Sequence, residues 1–112
     1  MRRCVAILAV IATAGPVQAE WRVMNGDEIS TALTDATLVY AAARQQFHAS
    51  GRTLYDSGRP SWGYWEVRRD NYCSQWPPSN VWSCYAMERD SDSGALRFIG
   101  ERGDITEGRL AE

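Results

Sequence analysis

Two cysteines placed symmetrically about a pair of prolines constrain the fold of this chain more than any other feature. Cys73 and Cys84 are eleven positions apart, and residues Pro77 to Asn80 lie midway between them. If those four residues form a hairpin loop, the two cysteines lie directly opposite each other on antiparallel strands. Opposed residues have Cα atoms about 4.5–5.5 Å apart, and a disulfide needs about 4.4–6.8 Å. The spacing therefore predicts a disulfide-linked β-hairpin whose first strand ends at the prolines.

The strand before this hairpin, Ser61 to Arg68, has one uncharged face. Side chains alternate between the two faces of a strand, so Gly63, Trp65 and Val67 share a face, which we assign to the core. A two-residue turn around Asp70 continues this inner face into the second hairpin, whereas a three-residue turn inverts it. We expect the two-residue turn, which leaves Glu88 exposed and places seven further side chains inside: Tyr72, Ser74, Trp76, Val81, Ser83, Tyr85 and Met87.

Three aromatic side chains lie on the opposite face in this register. Trp62, Tyr64 and Trp82 point outward near the predicted disulfide, and Pro77 and Pro78 lie in the adjoining loop. An exposed aromatic cluster is typical of a binding surface. These five residues therefore form the candidate binding surface, called here the outer aromatic surface. The alternative is that a short N-terminal helix packs over this face and buries the aromatic rings, because large uncovered apolar patches are uncommon on monomers.

Residues 1–19 have the pattern of a secretory signal peptide. A basic start precedes an apolar run, Cys4 to Ala14, and Val17 and Ala19 occupy the positions that signal peptidase reads. A transmembrane anchor is the alternative, but it needs about 20 apolar residues and this run has roughly half that number. We therefore expect a cleaved leader followed by a single domain of residues 20–112.

The charge and cysteine content of the cleaved chain limit its partners and its location. Of the 12 basic residues two lie in the leader, which leaves ten positive charges against 14 negative ones, a net charge of −4. A mildly acidic domain without a basic run argues against nucleic acid and against anionic membrane surfaces. Removal of Cys4 leaves two cysteines, and pairing is the expected state in an oxidising compartment. We expect a periplasmic or secreted protein with no membrane span after cleavage.

The remaining segments predict one short helix and a series of short strands. Asn25 and Glu28 have the spacing of a helix capping box, and Met24 can pack on Ile29 as a hydrophobic staple. After a helix that ends near Leu33, the apolar pattern alternates with a period of two. Strands are predicted before and after the central hairpins at residues 36–42, 45–49, 52–56, 95–99 and 105–110. The predicted fold class is mainly β, an antiparallel meander of seven to eight short strands that forms either a small barrel or a strongly curved sheet.

Residue patterns that could support catalysis are weak in this chain. His48 is the only histidine, and no nucleophile or orienting partner accompanies it in the sequence, so we interpret it as a surface residue. Two Asp-Ser-Gly triplets, at 56–58 and 92–94, match the aspartic-protease motif but lie among turn-forming residues. Metal-ligand spacings such as Cys-x-x-Cys are absent. We therefore expect no catalytic residue, no metal and no cofactor, and a protein that is not an enzyme.

Several short motifs resemble those of a family of small exported proteobacterial proteins of unknown function. They are Gly63-x-Trp65-x-Val67, Tyr72-Cys73, Trp76 and Cys84-Tyr85. The order of elements is similar as well, with a signal peptide, a short helix, a Thr-Leu-x-Tyr strand at residues 37–40, a Gly-x-Trp strand and two cysteines. The resemblance covers nearly the whole mature chain, and it implies structural rather than catalytic residues.

A second resemblance is to the small periplasmic lysozyme-inhibitor barrels, which are similar in size, strand count and disulfide. Residue-by-residue matching to their inhibitory loop is not possible. The sequence thus predicts an exported, disulfide-linked β domain that acts as a binding or envelope-accessory module, with an envelope protein or a cell-wall enzyme as partner. The alternative function is a periplasmic inhibitor of a cell-wall hydrolase such as lysozyme, with a loop such as residues Pro77–Asn80 entering the cleft of the enzyme.

Overall fold

A computed structural model describes residues 18–112, so residues 1–17 of the predicted signal peptide lie outside the described part. The described part contains nine β-strands and one short α-helix. In chain order they are β1 (Trp21–Val23), α1 (Gly26–Leu33), β2 (Ala36–Val39), β3 (Arg44–Phe47), β4 (Arg52–Asp56), β5 (Pro60–Arg68), β6 (Asn71–Gln75), β7 (Trp82–Asp90), β8 (Leu96–Ile99) and β9 (Ile105–Leu110).

Eight of these strands close into an antiparallel barrel. Each strand from β2 to β9 pairs with the next along the chain. The ring closes because β9 pairs with β2 at Leu38–Leu110 and Val39–Arg109. The ninth strand, β1, pairs with the last residues of β7. The prediction of a mainly β, antiparallel fold with one short helix is confirmed, and the closed barrel is the form observed.

The central hairpins have the register that the cysteine spacing predicts. Cys73 pairs with Cys84 in the β6–β7 ladder, and a disulfide joins them with a Cα–Cα distance of 4.0 Å. Arg68 pairs with Asn71 across a two-residue turn, as expected. The inner face therefore runs on from β5 to β7, and five of its members are buried: Gly63, Trp65, Tyr72, Ser74 and Met87.

Three positions in this region differ from the prediction. Val81 and Ser83 are exposed rather than buried, because β8 covers β7 only from Ala86 onward. Glu88 is half-buried rather than exposed, since its carboxylate accepts a hydrogen bond from Nε of Arg97 at 2.7 Å. The Arg97 guanidinium lies 4.2 Å from the ring centroid of Trp21. Trp21 belongs to β1, a strand that the sequence analysis did not predict.

Helix α1 packs into the barrel, not over its outer aromatic surface. The predicted capping box is present, with Glu28 N–H donating to Oδ1 of Asn25 and Asn25 N–H donating to Oε1 of Glu28. Ile29 and Leu33 are fully buried in the same cluster as Phe47 and the other inward-facing residues. The alternative in which this helix covers the outer aromatic rings is therefore wrong. An amphipathic stripe shows that a helix has an apolar partner, but it does not say which face of the sheet that partner is.

The helix lies at one end of the barrel and leaves the other end open. It contacts the β5–β6 turn, where Gly26 N–H donates to Oδ1 of Asp70 at 2.9 Å. Because antiparallel strands alternate in direction, the β3–β4 and β7–β8 turns lie at this same end. The β2–β3, β4–β5, β6–β7 and β8–β9 connections surround the opposite end, called here the mouth. Within residues 18–112, no helix has the length and hydropathy needed to span a lipid bilayer.

Candidate functional site

The mouth of the barrel contains a cavity of about 370 Å³. Every strand from β3 to β9 and the connections at the mouth contribute to its walls. Its lining residues are Tyr40, Gln45, Tyr55, Ser61, Tyr72, Ser74, Trp76, Tyr85, Phe98, Asp104 and Thr106. Barrels of eight strands have an interior just wide enough to be filled by side chains or to hold one small ligand. This barrel is filled on the helix side and hollow at the mouth.

Six aromatic rings form a chain of contacts around the cavity. The ring of Trp76 contacts that of Tyr55, which contacts Tyr40 in turn, with both centroid separations at 6.1 Å. Tyr40 contacts Phe98 at 6.4 Å, and Phe98 contacts the last two rings, Tyr72 at 5.0 Å and Tyr85 at 6.4 Å. Tilted and edge-to-face contacts of this kind stabilise aromatic pairs beyond the area they bury. The rings therefore support one another as a continuous wall.

A hydrogen-bond network around Gln45 forms the floor of the cavity. The Tyr40 hydroxyl donates to Oε1 of Gln45 at 2.7 Å, and Nε2 of Gln45 donates to Oγ1 of Thr53 at 2.9 Å and to the Tyr72 hydroxyl at 3.2 Å. Gln45 and Thr53 are buried, so these bonds offset the desolvation of both polar groups. The network holds two of the wall tyrosines in fixed orientations.

The two tyrosines of this network remain neutral at physiological pH. Burial raises the pKa of Tyr72 to about 12, against the smaller opposing effect of its hydrogen bonds to Gln45 and Ser74. Burial also raises the pKa of Tyr40 well above its ordinary value, with a smaller contribution from the neighbouring tyrosines. A neutral phenol both donates and accepts hydrogen bonds. The floor of the cavity is therefore polar but uncharged.

Two glycines on the inner face make room for the wall. A Cβ added at Gly63 would lie 2.5 Å from Cε3 of Trp76 and 2.7 Å from the carbonyl oxygen of Gln75. A Cβ added at Gly108 would lie 2.8 Å from Cγ of Leu38 and 3.0 Å from Cδ1 of Tyr40. Trp76 and Tyr40 therefore reach their positions only because the facing strand has no side chain there.

One carboxylate lies at the rim of the cavity. Asp104 is exposed in the β8–β9 turn, where its carbonyl oxygen accepts a hydrogen bond from Gly100 N–H at 2.8 Å. Its carboxylate lies against Gly100, and a side chain at that position would overlap it. Of the ion pairs within residues 18–112, none includes Asp104. The carboxylate is thus placed at the entrance without a neutralising arginine.

The three aromatic residues of the outer aromatic surface lie on the outer wall of the barrel. Trp62 is 45% exposed and Tyr64 is 46% exposed, while Trp82 is half-buried. Arginines cover part of these rings: the Arg52 guanidinium lies 4.3 Å from the Trp62 centroid, and that of Arg68 lies 4.7 Å from the Trp82 centroid. The surface is therefore a convex strip of arginine and aromatic side chains, and it contains no cavity among those described.

Pro77 and Pro78 are exposed in the β6–β7 loop, directly after the cavity residue Trp76. The peptide bond between them is cis. Two local hydrogen bonds order the loop, from Ser79 N–H to the carbonyl of Trp76 at 3.0 Å and from Val81 N–H to Oγ of Ser79 at 3.2 Å. The structure thus separates the predicted surface into two parts, the prolines at the mouth and the aromatic rings on the outside wall.

The motifs that could have suggested catalysis do not come together. Of the two Asp-Ser-Gly triplets, Asp56 ends β4 at the mouth, and Asp92 lies in the β7–β8 turn at the opposite end of the barrel. His48 is half-buried rather than a free surface residue: its ring lies 5.8 Å from that of Trp62, and its Nε2 is buried without a hydrogen-bond partner in the described part. Within residues 18–112, no group of three or more His, Cys, Asp or Glu residues could hold a metal ion.

Sequence reasoning did not find the mouth cavity. It places Tyr72, Trp76 and Tyr85 on the inner face, but it treats that face as filled core. A signal was present in β3, where Gln45 alternates with Phe47 at an inward-facing position. A polar residue at such a position indicates a hydrogen-bonded interior, and Gly63 opposite Trp76 indicates space for a ring.

Comparison of the chain with protein-family models, with curated proteins and with solved structures finds no match. The candidate site therefore depends on the geometry of the mouth alone.

Proposed function

We propose that this chain is an exported binding module that holds a small ligand in the mouth of its barrel. The observation that carries the proposal is the cavity of about 370 Å³. Ligand sites in proteins are typically clefts of about 300–1,000 Å³ with mainly apolar walls and a few placed polar groups, and barrel mouths are common locations for them. The aromatic chain supplies such walls here, and Ser61, Asp104 and Thr106 supply exposed polar groups at the entrance.

The proposed role is binding rather than catalysis. Among the residues that line the cavity, Asp104 is the one carboxylic acid, and the lining includes neither histidine nor cysteine. General acid–base or nucleophilic catalysis generally needs a second group oriented toward the first. Export is part of the proposal, and the Cys73–Cys84 disulfide supports it because structural disulfides are typical of oxidising compartments.

A pair of matched tryptophan substitutions tests the proposal. Thr106 lines the mouth and is exposed, and its neighbour Glu107 is exposed but does not line the cavity. Ligands are first selected from a chemically diverse set of small molecules by the rise they cause in the melting temperature of the purified protein. Thr106→Trp should abolish the rise because the indole fills the entrance, whereas Glu107→Trp should preserve it. Equal responses of the two variants, or no stabilising compound at all, would contradict the proposal.

Inhibition of a cell-wall hydrolase is the second candidate function. The β6–β7 loop supports it, since Pro77 to Asn80 are exposed and the disulfide and local hydrogen bonds hold the loop in place. A pre-organised loop binds with a smaller loss of conformational entropy. If the loop acts in this way, micromolar protein should slow lysozyme on cell walls, and replacing both prolines with glycine should remove the effect. Unchanged lysozyme activity would eliminate this candidate.

A further inference from the structure

We infer that the ligand of the mouth carries an organic cation, such as a quaternary ammonium group. This inference names a ligand class for the proposed binding function and depends on that function. It follows from three features of the cavity: the faces of its aromatic rings, the charge at its entrance, and the state of the polar groups on its floor.

The first feature is the density of aromatic rings. Six of the eleven residues that line the cavity are Tyr, Trp or Phe. The face of an aromatic ring carries partial negative charge, and it attracts a cation within about 6 Å of its centroid, most strongly where water is excluded. The rings come from β4, β6, β7, β8 and two connections at the mouth, so a cation inside the cavity would meet several of them at once.

The second feature is the sign of the charge at the entrance. Asp104 is the single residue of the lining that carries a formal charge at neutral pH, and Lys and Arg are not among the lining residues. The three arginines that lie over aromatic rings do so outside the cavity: Arg52 over Trp62, Arg68 over Trp82 and Arg97 over Trp21. An anionic ligand would therefore find a repelling carboxylate and no cationic partner. A cationic ligand would be attracted by the carboxylate and would meet no arginine or lysine among the lining residues.

The third feature separates a cation from a neutral, hydroxylated ligand such as a sugar. Sugars are bound through many hydrogen bonds, which require free donors and acceptors on the protein. The floor groups are largely engaged with one another: Gln45 bonds Tyr40, Thr53 and Tyr72, and Nε1–H of Trp76 donates to Oγ of Ser74 at 3.2 Å. Beyond this floor the lining hydroxyls are those of Ser61, Thr106, Tyr55 and Tyr85, and the larger part of the wall is ring face. Ring faces together with one carboxylate suit a cation with an apolar surface.

The test compares two molecules of nearly the same shape, choline and its neutral carbon isostere 3,3-dimethylbutan-1-ol, with N-acetylglucosamine as a third probe. Binding to the purified protein is measured by calorimetry or by NMR titration up to millimolar concentration. Choline should bind at least about tenfold more tightly than the isostere, which corresponds to the range of a desolvated cation–π contact.

Four variants assign the effect to the residues proposed. Asp104→Asn should weaken choline binding by about threefold, in the range of an exposed charge pair, and leave the isostere unaffected. Glu101→Gln is the control, because Glu101 is an exposed acid of the same turn that does not line the cavity. Tyr55→Leu should lose about tenfold in choline affinity, while Tyr55→Phe should keep it, because only the former removes the ring. Circular dichroism confirms that each variant is folded.

The outcomes separate this inference from the proposed function. If the isostere binds as tightly as choline, or if N-acetylglucosamine binds and choline does not, the cation is wrong and the mouth remains a ligand site. If neither Asp104→Asn nor Tyr55→Leu changes the affinity for choline, the cation is again wrong and the mouth remains a ligand site. If none of the three probes binds, the cation is wrong, and the proposed function then depends on whether Thr106→Trp blocks any other compound.

Discussion

The indole of Trp76 lies directly over Gly63, so close that a Cβ on this glycine would be 2.5 Å from Cε3 and 2.8 Å from Cζ3 of the ring. This contact brings Trp76 from the end of β6 across the inner face of β5 and into the wall of the cavity. Trp76 also contacts Tyr55, with centroids 6.1 Å apart. The shape of the mouth therefore depends on a position that has no side chain.

Gly63→Ala should displace the Trp76 ring and weaken ligand binding at the mouth. The added methyl group overlaps both the ring and the carbonyl oxygen of Gln75, and overpacking of this kind costs about 1–3 kcal/mol of unfolding free energy. Urea unfolding measures the cost. In a Trp76→Ala background the cost should be smaller, because the overlap with the ring is gone. Equal costs in the two backgrounds would show that the ring does not oppose a side chain at Gly63.

Loss of the disulfide should destabilise the barrel without changing its fold. Cys73 and Cys84 close a loop of roughly a dozen residues, for which the chain-entropy model gives about 2–3 kcal/mol. The double variant Cys73→Ser, Cys84→Ser should unfold at a correspondingly lower urea concentration. Chemical reduction of the unmodified protein should produce a similar change. A double variant as stable as the parent would show that the hairpin needs no covalent link.

Asp90 should make stability depend on pH in the acid range. Its carboxylate accepts hydrogen bonds from the Ser93 hydroxyl and from the backbone N–H groups of Asp92, Glu20 and Ser93, which hold its pKa below the ordinary value of 3.8, although desolvation opposes them. The unfolded chain binds the proton more tightly, so this stabilisation is present above about pH 3.8 and is lost as the pH falls through the lower folded value.

Asp90→Asn should therefore lower the unfolding free energy at neutral pH, and its difference from the parent should shrink below pH 3.8. Asp92→Asn is a suitable control, because Asp92 is an exposed neighbour in the same turn. Urea unfolding at a series of pH values measures both variants. A difference between Asp90→Asn and the parent that stays constant from neutral to acid pH would contradict this role.

Cleavage of the predicted signal peptide should raise the melting temperature of the barrel through the backbone nitrogen of Glu20. This nitrogen donates a hydrogen bond to Oδ1 of Asp90 at 3.0 Å, and the predicted cleavage after Ala19 would turn it into an ammonium group. Hydrogen bonds between charged groups are stronger than neutral ones. Protein that begins at Glu20 should melt at a higher temperature than protein that retains Ala19, and Asp90→Asn should remove the difference. A difference that persists in Asp90→Asn would assign the effect to another contact.

Local features account for the part of the fold that the sequence predicts. The Cys73–Cys84 register is correct because a hairpin and its loop are specified within a dozen residues. The bounds of β4 and β9 agree with the prediction because turn-forming residues flank both strands. Closure of the barrel could not be chosen in advance, since the β2–β9 pairing joins Leu38 to Leu110 across most of the chain. The three-residue strand β1 has too few residues for its pattern to be recognised.

The candidate site is harder to predict than the fold because it is a volume inside the barrel that side chains leave unfilled. Sequence patterns indicate which side chains face inward, and they predict this orientation for Tyr72, Trp76 and Tyr85. The same patterns do not indicate whether side chains fill the volume inside the barrel. That depends on Gly63 and Gly108 and on the bonds of Gln45, whose partners come from three other segments of the chain. The rings of the outer aromatic surface can be predicted from the sequence, because alternation alone indicates which side chains of a strand face outward.

The tryptophan indole signals of the isotope-labelled protein provide the most direct test of a ligand site at the mouth. The chain has five tryptophans, one of which lines the cavity while two lie on the outer aromatic surface. A ¹H–¹⁵N spectrum resolves their side-chain N–H groups individually during titration with a stabilising compound. Our account predicts that the Trp76 signal and the Gln45 side-chain amide shift, while Trp62 and Trp82 remain unchanged. Shifts of Trp62 and Trp82 with Trp76 unchanged would contradict it and place the binding surface on the outer wall.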